Sequence, residues 1–338
     1  MEINQIKIGD GQPCFIIAEA GINHNGQIKL AKEMVDVAVK AGVNAIKFQT
    51  HFPESEMLPD GKTADYVGES LFDLLTRVSL PEAEQLKLKD YVEKKNIIFL
   101  STPFSKEAAD FLETIGVVAF KIGSGELTNL PLQEYIARKG KPRIISTGMS
   151  TLEEIEATVS KTKNINPHFA LMHCTSTYPT PYEHVNLKFI PILKAKYRVP
   201  VGLSDHSLGN YAAFSAIPLG ANLIEKHFTL SRDLPGPDQK ASLEPVELSD
   251  LVKGIRVIEK MLGDQKSIQP GEQDVRDMAL HSVVSIQDIP VGKIIDTDDI
   301  WVKRPGTGIA AKHLPEIIGK KAKQAIRKNS LLRWDDLG

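Results

Sequence analysis

The sequence predicts an α/β protein: a (β/α)8 TIM barrel followed by a small, mostly β domain. Three observations carry this. Eight short, near-continuously apolar runs alternate with longer amphipathic stretches between residue 15 and about residue 262, as parallel strands covered on both faces by helices do. Eight strand–helix units in roughly 250 residues are the number and size of such a barrel. Beyond residue 263 the pattern gives way to short segments broken by Gly and Pro. A doubly wound open sheet is the alternative, because local periodicity does not show closure. The barrel is favoured because no Gly-rich dinucleotide fingerprint follows the first run and polar residues crowd the end of nearly every run.

The apolar runs are residues 15–18, 45–48, 97–100, 118–122, 143–146, 170–172, 199–203 and 222–225. Helical patterns follow, among them 27–41, 81–95, 106–114, 152–163 and 245–261. Ser105 supplies a start signal, and the Ser150–Glu153 spacing reads as a capping box. Residues 55–77 form a longer insertion with a short helix. The predicted organisation is a barrel over 1–265, a polar, turn-rich linker over 266–278 and a small domain over 279–338. That last domain carries ten basic against seven acidic residues, a charge of +3, and the remainder carries −5. In it, residues 282–286, 300–303 and 331–334 read as short strands.

The 338 residues are 42% apolar and 25% charged, ordinary for a globular protein with a large core. A formal net charge of −2 gives no reason to expect a nucleic-acid or membrane partner. The stretch from Met1 to Gln5 lacks the basic start and apolar run of a signal peptide. No stretch approaches the roughly 18 apolar residues that span a bilayer. Two cysteines, Cys14 and Cys174, make no disulfide framework and suit a reducing, cytoplasmic setting.

In a barrel the active site lies at the carboxyl ends of the strands. His206 and His227 end the seventh and eighth runs, so closure brings both imidazoles to one rim with Asp205 and Glu225 close by. Such a pair, with open positions left over, suits a divalent transition metal. His173 and His51 are weaker candidates, and His173 reads as a structural group. Lys47 and Lys121 sit inside otherwise apolar runs, which is costly unless the charges are paired. A buried phosphate or carboxylate would serve. Thr102, Ser124, Ser146 and Ser204 offer hydroxyls, while Gly123, Gly125 and Gly148 allow close backbone approach. The competing reading pairs the lysines with Glu19, Glu126 or Glu225. Cys174 reads as a small buried apolar residue. These residues alone indicate a metal-assisted reaction of a phosphorylated or carboxylated small molecule.

At these motifs the chain resembles the sialic acid synthases, which make N-acetylneuraminate, legionaminate and pseudaminate. The matching stretches are Ile17-Ala18-Glu19-Ala20-Gly21-Ile22-Asn23-His24-Asn25-Gly26, Lys47-Phe48-Gln49-Thr50, Ser101-Thr102-Pro103-Phe104 and Gly123-Ser124-Gly125-Glu126. Ile145-Ser146-Thr147-Gly148-Met149, His173-Cys174-Thr175, Tyr178-Pro179-Thr180-Pro181, Ser204-Asp205-His206-Ser207 and Glu225-Lys226-His227-Phe228-Thr229 follow in order, with Gly236-Pro237-Asp238 and Lys303-Arg304-Pro305-Gly306 behind them. The resemblance implies a C-terminal antifreeze-like domain and a domain-swapped homodimer in which that domain caps the partner's active site. It implies condensation of phosphoenolpyruvate with the aldehyde of an N-acetylmannosamine-type sugar, phosphate leaving by C–O cleavage. His206 and His227 would hold the metal, Mn2+ or another divalent ion such as Co2+ or Mg2+, with Glu19 an acid/base beside it. Lys47, Thr102, Lys121, Ser124, Ser146, Ser176 and Ser204 would hold phosphoenolpyruvate. Gln49, Glu126, Tyr178 and Asp238 would line the sugar site, and Arg304 of the partner would reach the sugar's N-acetyl end.

Two departures stand out: Ser176 replaces a frequent Asn, and Gln239 replaces the His of a common Gly-Pro-Asp-His. The sugar stays open between N-acetylmannosamine and a 2,4-diacetamido sugar, although residues 241–245 resemble the neuraminate and legionaminate branches more than the pseudaminate one. Two other readings compete. One is a barrel aldolase or isomerase with Lys121 as Schiff base; the other is a non-enzymatic glycan or ice binder built on the C-terminal domain.

Overall fold

The computed structural model describes residues 1–59, 61 and 69–338. A two-stranded antiparallel hairpin, β1 (Glu2–Ile3) and β2 (Ile6–Lys7), comes first and has no counterpart in the sequence reading. Ile3 and Ile8 join Phe15, Ala45, Ile98 and Leu223 in one apolar cluster, so the hairpin plugs the end where the barrel strands begin.

The barrel strands are β3 (Phe15–Gly21), β4 (Ala45–Thr50), β5 (Ile98–Pro103), β6 (Phe120–Ile122), β7 (Arg143–Ser146), β8 (Phe169–Cys174), β9 (Val201–Asp205) and β10 (Leu223–His227). Their parallel ladder runs β5-β4-β3-β10-β9-β8-β7-β6. The first barrel strand thus pairs with the last, His227 lying opposite Glu19. A doubly wound open sheet does not make that pairing. β5 and β6, the ends of the ladder, approach side by side and complete a nearly closed TIM-like barrel.

Strand side chains alternate between faces, and the core divides accordingly. Ile16, Ala18, Ile46 and Ile224 face the helices, whereas Ile17, Leu100, Ile144, Met172 and Leu223 fill the barrel. Moving outward along each strand, the next inward positions turn polar. They are Glu19, Lys47, Thr102, Lys121, Ser146, Ser204 and Glu225, all buried. On the opposite face Lys226 is fully buried and paired to Asp205 Oδ2 at 2.6 Å. Asp205 therefore belongs to the strand–helix packing and not to the rim expected for it.

Gly202 shows how tight the interior is. A Cβ there would strike the carbonyl oxygen of Leu223 and lie 2.7 Å from Met172 Sδ. Overpacking a close-packed core costs about 1–3 kcal/mol, so Gly202→Ala is expected to lower unfolding free energy by about 3 kcal/mol in urea titrations. A loss below about 0.5 kcal/mol would mean that the strands part easily there.

Ser105 accepts from Ala108 N, the predicted cap. The expected box on Ser150 is displaced by one residue. Thr151 and Glu154 form it, because Ser150 Oγ donates to Gly148 O instead. In the insertion, helices cover Pro53–Glu56 and Leu71–Val78; part of that predicted segment lies outside the described residues. No described helix is long and apolar enough to cross a membrane.

Residues 263–338 form a second compact unit. Part of the stretch read as linker is a helix, Glu272–Ala279. β11 (Ser282–Ser285) and β12 (Ile300–Lys303) pair antiparallel over a core of Val283, Ile289, Ile295, Ile300, Ile309 and Leu332. The expected third strand is a single bridge, Val284 to Leu331, followed by a 3-10 turn at Trp334–Asp336. So small a core has help from buried carboxylates: Asp299 accepts from Lys293, Gln287 and Asp296 N, and Asp336 from Gln324 and Arg333 N.

Candidate active site

The polar layer is a connected network. Lys47 Nζ lies 2.9 Å from Glu19 Oε1 and donates to Thr102 Oγ1 at 3.2 Å. Lys121 Nζ donates to Ser146 Oγ at 2.8 Å and to Glu225 Oε1 at 3.1 Å. The same Glu225 oxygen accepts from Ser204 Oγ at 3.1 Å and lies 3.8 Å from Lys47 Nζ. The lysines are thus paired as the competing reading had it, to Glu19 and Glu225, though not to Glu126. Glu225 was legible as a neighbour of the histidines and as one of three possible partners for the lysines, and the structure makes it the hub.

Burial raises the Glu19 carboxyl, outweighing the pull of Lys47. Glu225 is equally buried, yet Lys121 and Lys47 hold it low and charged. Burial lowers Lys121, opposed by Glu225, while Lys47 stays high because Glu19 and Glu225 outweigh its desolvation. The layer therefore sets two lysines against two carboxyl groups, one of them raised to about 7 by burial. Glu19 Oε2 and Glu225 Oε2 are buried with no partner. Hydrogen-bonding capacity of this kind, withdrawn from water, is costly unless a ligand engages it.

Against this layer lies a small cradle. Ser124 Oγ accepts from Gly148 N at 3.1 Å and sits 3.6 Å from Cys174 Sγ, with Ser176 Oγ 3.9 Å from the same sulfur. A Cβ on Gly148 would come 2.7 Å from Ser124 Oγ and collide with Ser176 Oγ, so only glycine keeps the space open. Cys174 is buried, as expected, and has polar neighbours besides. Despite burial, the neighbouring His206 draws its thiol down to about 7, and the two groups approach to 3.8 Å.

At the rim the rings of His206 and His227 have centroids 5.3 Å apart. His206 Nδ1 faces the Thr175 carbonyl at 2.8 Å, and its Nε2 lies 3.2 Å from Tyr178 OH and 3.5 Å from Ser204 Oγ. His227 Nδ1 is buried without a hydrogen bond, 4.0 Å from Asp238 Oδ2. Burial, then the neighbouring His206 and Lys47, push His227 well below the usual histidine range, so it is a neutral imidazole, the form that ligates metals. Among the described residues no group of three or more His, Cys, Asp or Glu is arranged to hold a metal. The donor set fits a metal held by two imidazoles, with its other positions left to substrate and water.

Gln49 Nε2 approaches Glu19 Oε1 at 3.4 Å. Burial raises Asp238, and also Glu126, which accepts from Asn129 Nδ2 at 2.7 Å. Glu126 lines a cavity of about 540 Å³ with Glu56 and Phe104. Gln239, the departure from Gly-Pro-Asp-His, is buried and donates to Asn23 O and Pro235 O at 3.2 Å. It anchors its loop and presents no titrating group. His173 is a structural group: its Nε2 sits 2.6 Å from Val185 O. Arg304 lies in the second unit, exposed, its Nε donating to Ala279 O at 3.1 Å.

Comparison with known proteins bears on this geometry. Residues 34–267 match the NeuB family and residues 281–338 the SAF domain. The chain is 40% identical to the N,N'-diacetyllegionaminic acid synthase of Campylobacter jejuni, over 94% of this chain and 98% of that one. It is 37% identical to the enzyme of the same name from Legionella pneumophila, over 99% and 98%. The crystal structure of N-acetylneuraminic acid synthetase from Leptospira borgpetersenii, in complex with citrate, superposes with a TM-score of 0.74 at 40% identity, covering 81% of this chain and 94% of that one. An eight-stranded parallel barrel with a polar carboxyl end, an SAF domain behind it, and full-length identity of this order make the chain a member of the NeuB family of nonulosonic acid synthases.

Proposed function

We propose that the protein condenses phosphoenolpyruvate with the open-chain aldehyde of an N-acetylmannosamine-type sugar, giving a sialic- or legionaminic-type acid and phosphate. The observation that carries this is the buried layer of Lys47, Lys121, Thr102, Ser146 and Ser204 with the Ser124–Gly148–Ser176 cradle, next to two histidines. An anion with both phosphate and carboxylate would satisfy these donors. The Leptospira relative was crystallised in complex with citrate, also a multiply charged small carboxylate anion.

In the reaction the C3 carbon of phosphoenolpyruvate bonds to the aldehyde carbon, whose oxygen takes a proton. Water then adds at C2, and the C2–O bond to phosphate breaks. Lys47 and Lys121 hold the anion and balance the charge of departing phosphate. Glu19, raised to about 7 by burial, can hold and give a proton beside the forming hydroxyl. His206 and His227 would hold Mn2+ or a similar ion, which as a Lewis acid polarises the aldehyde when bound. Gln49, Glu126, Tyr178 and Asp238 would contact the sugar, and Arg304 of a second subunit its N-acetyl end. Arg suits the latter role because its rigid fork satisfies several oxygens together. The two free, buried thiols suit a cytoplasmic setting.

Incubation with phosphoenolpyruvate, Mn2+ and a panel of N-acetylated sugars, with the product identified by mass, tests the reading. In 18O-labelled water the label is expected at C2 of the product and absent from phosphate. Labelled phosphate would mean attack at phosphorus and a different reaction. Borohydride trapping of Lys121 with substrate would revive the Schiff-base alternative.

A further inference from the structure

We infer that His51, held by Glu56, is a positioning residue that fixes the side-chain amide of Gln49 for the sugar; this rests on the function proposed above. Lys47, Gln49 and His51 alternate along and just past β4, so all three project to one side. The His51 ring lies flat on Phe104, from the end of neighbouring β5, with centroids 4.2 Å apart and planes 14° from parallel. Its Nδ1 is 2.9 and 3.1 Å from the two oxygens of Glu56, and its Nε2 is 2.9 Å from Gln49 Oε1. The His51 and Glu56 side chains are 5% and 4% exposed. This is a buried pair, not surface decoration.

The donor inventory sets the direction of this chain. A carboxylate only accepts, so His51 donates from Nδ1 to Glu56, and the contact of its Nε2 with the Gln49 amide at 2.9 Å fixes that amide's terminal torsion. The Gln49 NH2 faces inward, 3.4 Å from Glu19 Oε1. That bond is long, and an amide nitrogen has a second hydrogen, so donor capacity remains for a ligand. Left alone, a glutamine amide has a broad, nearly two-fold terminal torsion and presents either end. A sugar bearing hydroxyls and acetamido groups offers both donors and acceptors, so a freely turning amide discriminates little. Gln49 locked by His51 selects an acceptor oxygen at one place. Glu56 also lines the cavity that Glu126 enters, so the same pair ties Gln49 to a second residue of the proposed sugar site.

His51→Phe keeps the stack on Phe104 and removes both donors. With phosphoenolpyruvate, Mn2+ and whichever of N-acetylmannosamine or its 2,4-diacetamido analogue the native enzyme consumes, kcat/KM for the sugar is expected to fall tenfold or more. KM for phosphoenolpyruvate should stay within twofold, and Glu56→Ala should follow the same pattern. In a Gln49→Ala background, His51→Phe should add less than a further twofold loss, since residues acting through one another are non-additive. Additive losses, or an equal effect on phosphoenolpyruvate, overturn the inference. If the native enzyme consumes neither sugar, the proposed function fails first. The positioning is then read without turnover from the 15N spectrum of the His51 ring: a protonated Nε2 is expected, and a bare Nε2 means the amide faces the other way.

Discussion

Lys121→Met is expected to lower kcat/KM for phosphoenolpyruvate by at least about a thousandfold while leaving a folded barrel. Lys121 Nζ bridges Ser146 Oγ and Glu225 Oε1 inside the barrel. Methionine fills much the same volume, so packing survives. Two electrostatic losses combine. An ammonium in a buried site that holds an anion makes a charge-assisted bond, and losing such a donor costs about 3–4 kcal/mol at the transition state. Glu225 is also left with the Ser204 hydroxyl and the more distant Lys47 at 3.8 Å, and its negative charge then faces the incoming anion. At about 1.4 kcal/mol per tenfold, the first loss alone approaches a thousandfold. Lys121→Arg is not expected to restore activity, because a planar fork does not fit where a single nitrogen meets one hydroxyl and one carboxylate oxygen. A melting experiment separates binding from chemistry. Phosphoenolpyruvate should raise Tm of the native protein, as any ligand specific to the folded state does, and should not raise that of the variant. Equal stabilisation of both proteins would remove Lys121 from the anion site.

Chelation should abolish turnover, and Mn2+ or Co2+ should restore it. His206→Ala and His227→Ala should each lose at least about a thousandfold. The expectation rests on two buried imidazoles 5.3 Å apart at adjacent strand ends, one of them neutral with an orphaned nitrogen. Both rings lie on the polar rim outside the apolar clusters, so truncation should cost stability little. A polarising ion contributes several kcal/mol to the transition state, which sets the size of the effect. Calorimetric titration of the metal-free protein with Mn2+ gives a readout without turnover: one site in the native protein, and binding weakened at least tenfold in either variant. Full activity after exhaustive chelation would show that the histidines serve another purpose.

Much of the fold was legible because parallel strands buried on two faces must be apolar almost throughout. All eight predicted runs share at least three residues with an observed strand, and the first seven residues went unread because β1 and β2 are too short to show a period. The capping box shifted by one residue because Ser150 and Thr151 are both competent caps. The choice fell to Thr151 once Gly148 engaged the Ser150 hydroxyl.

The site divides in the same way. Lysines in apolar strands, histidines at the ends of successive runs, and glycines beside serines are local signals, and the sequence by itself determined from them that these groups should share one end of a barrel. The tertiary structure alone decided which groups face each other. Glu225 became the hub for both lysines, Asp205 turned outward to Lys226, Cys174 became His206's neighbour, and His51 reached Gln49 and Glu56. These are choices of strand face and of partner across the ring. The physical reason is that a two-residue alternation fixes which side chains share a face only after register and closure have named the inside, and both are set by contacts far apart in the chain.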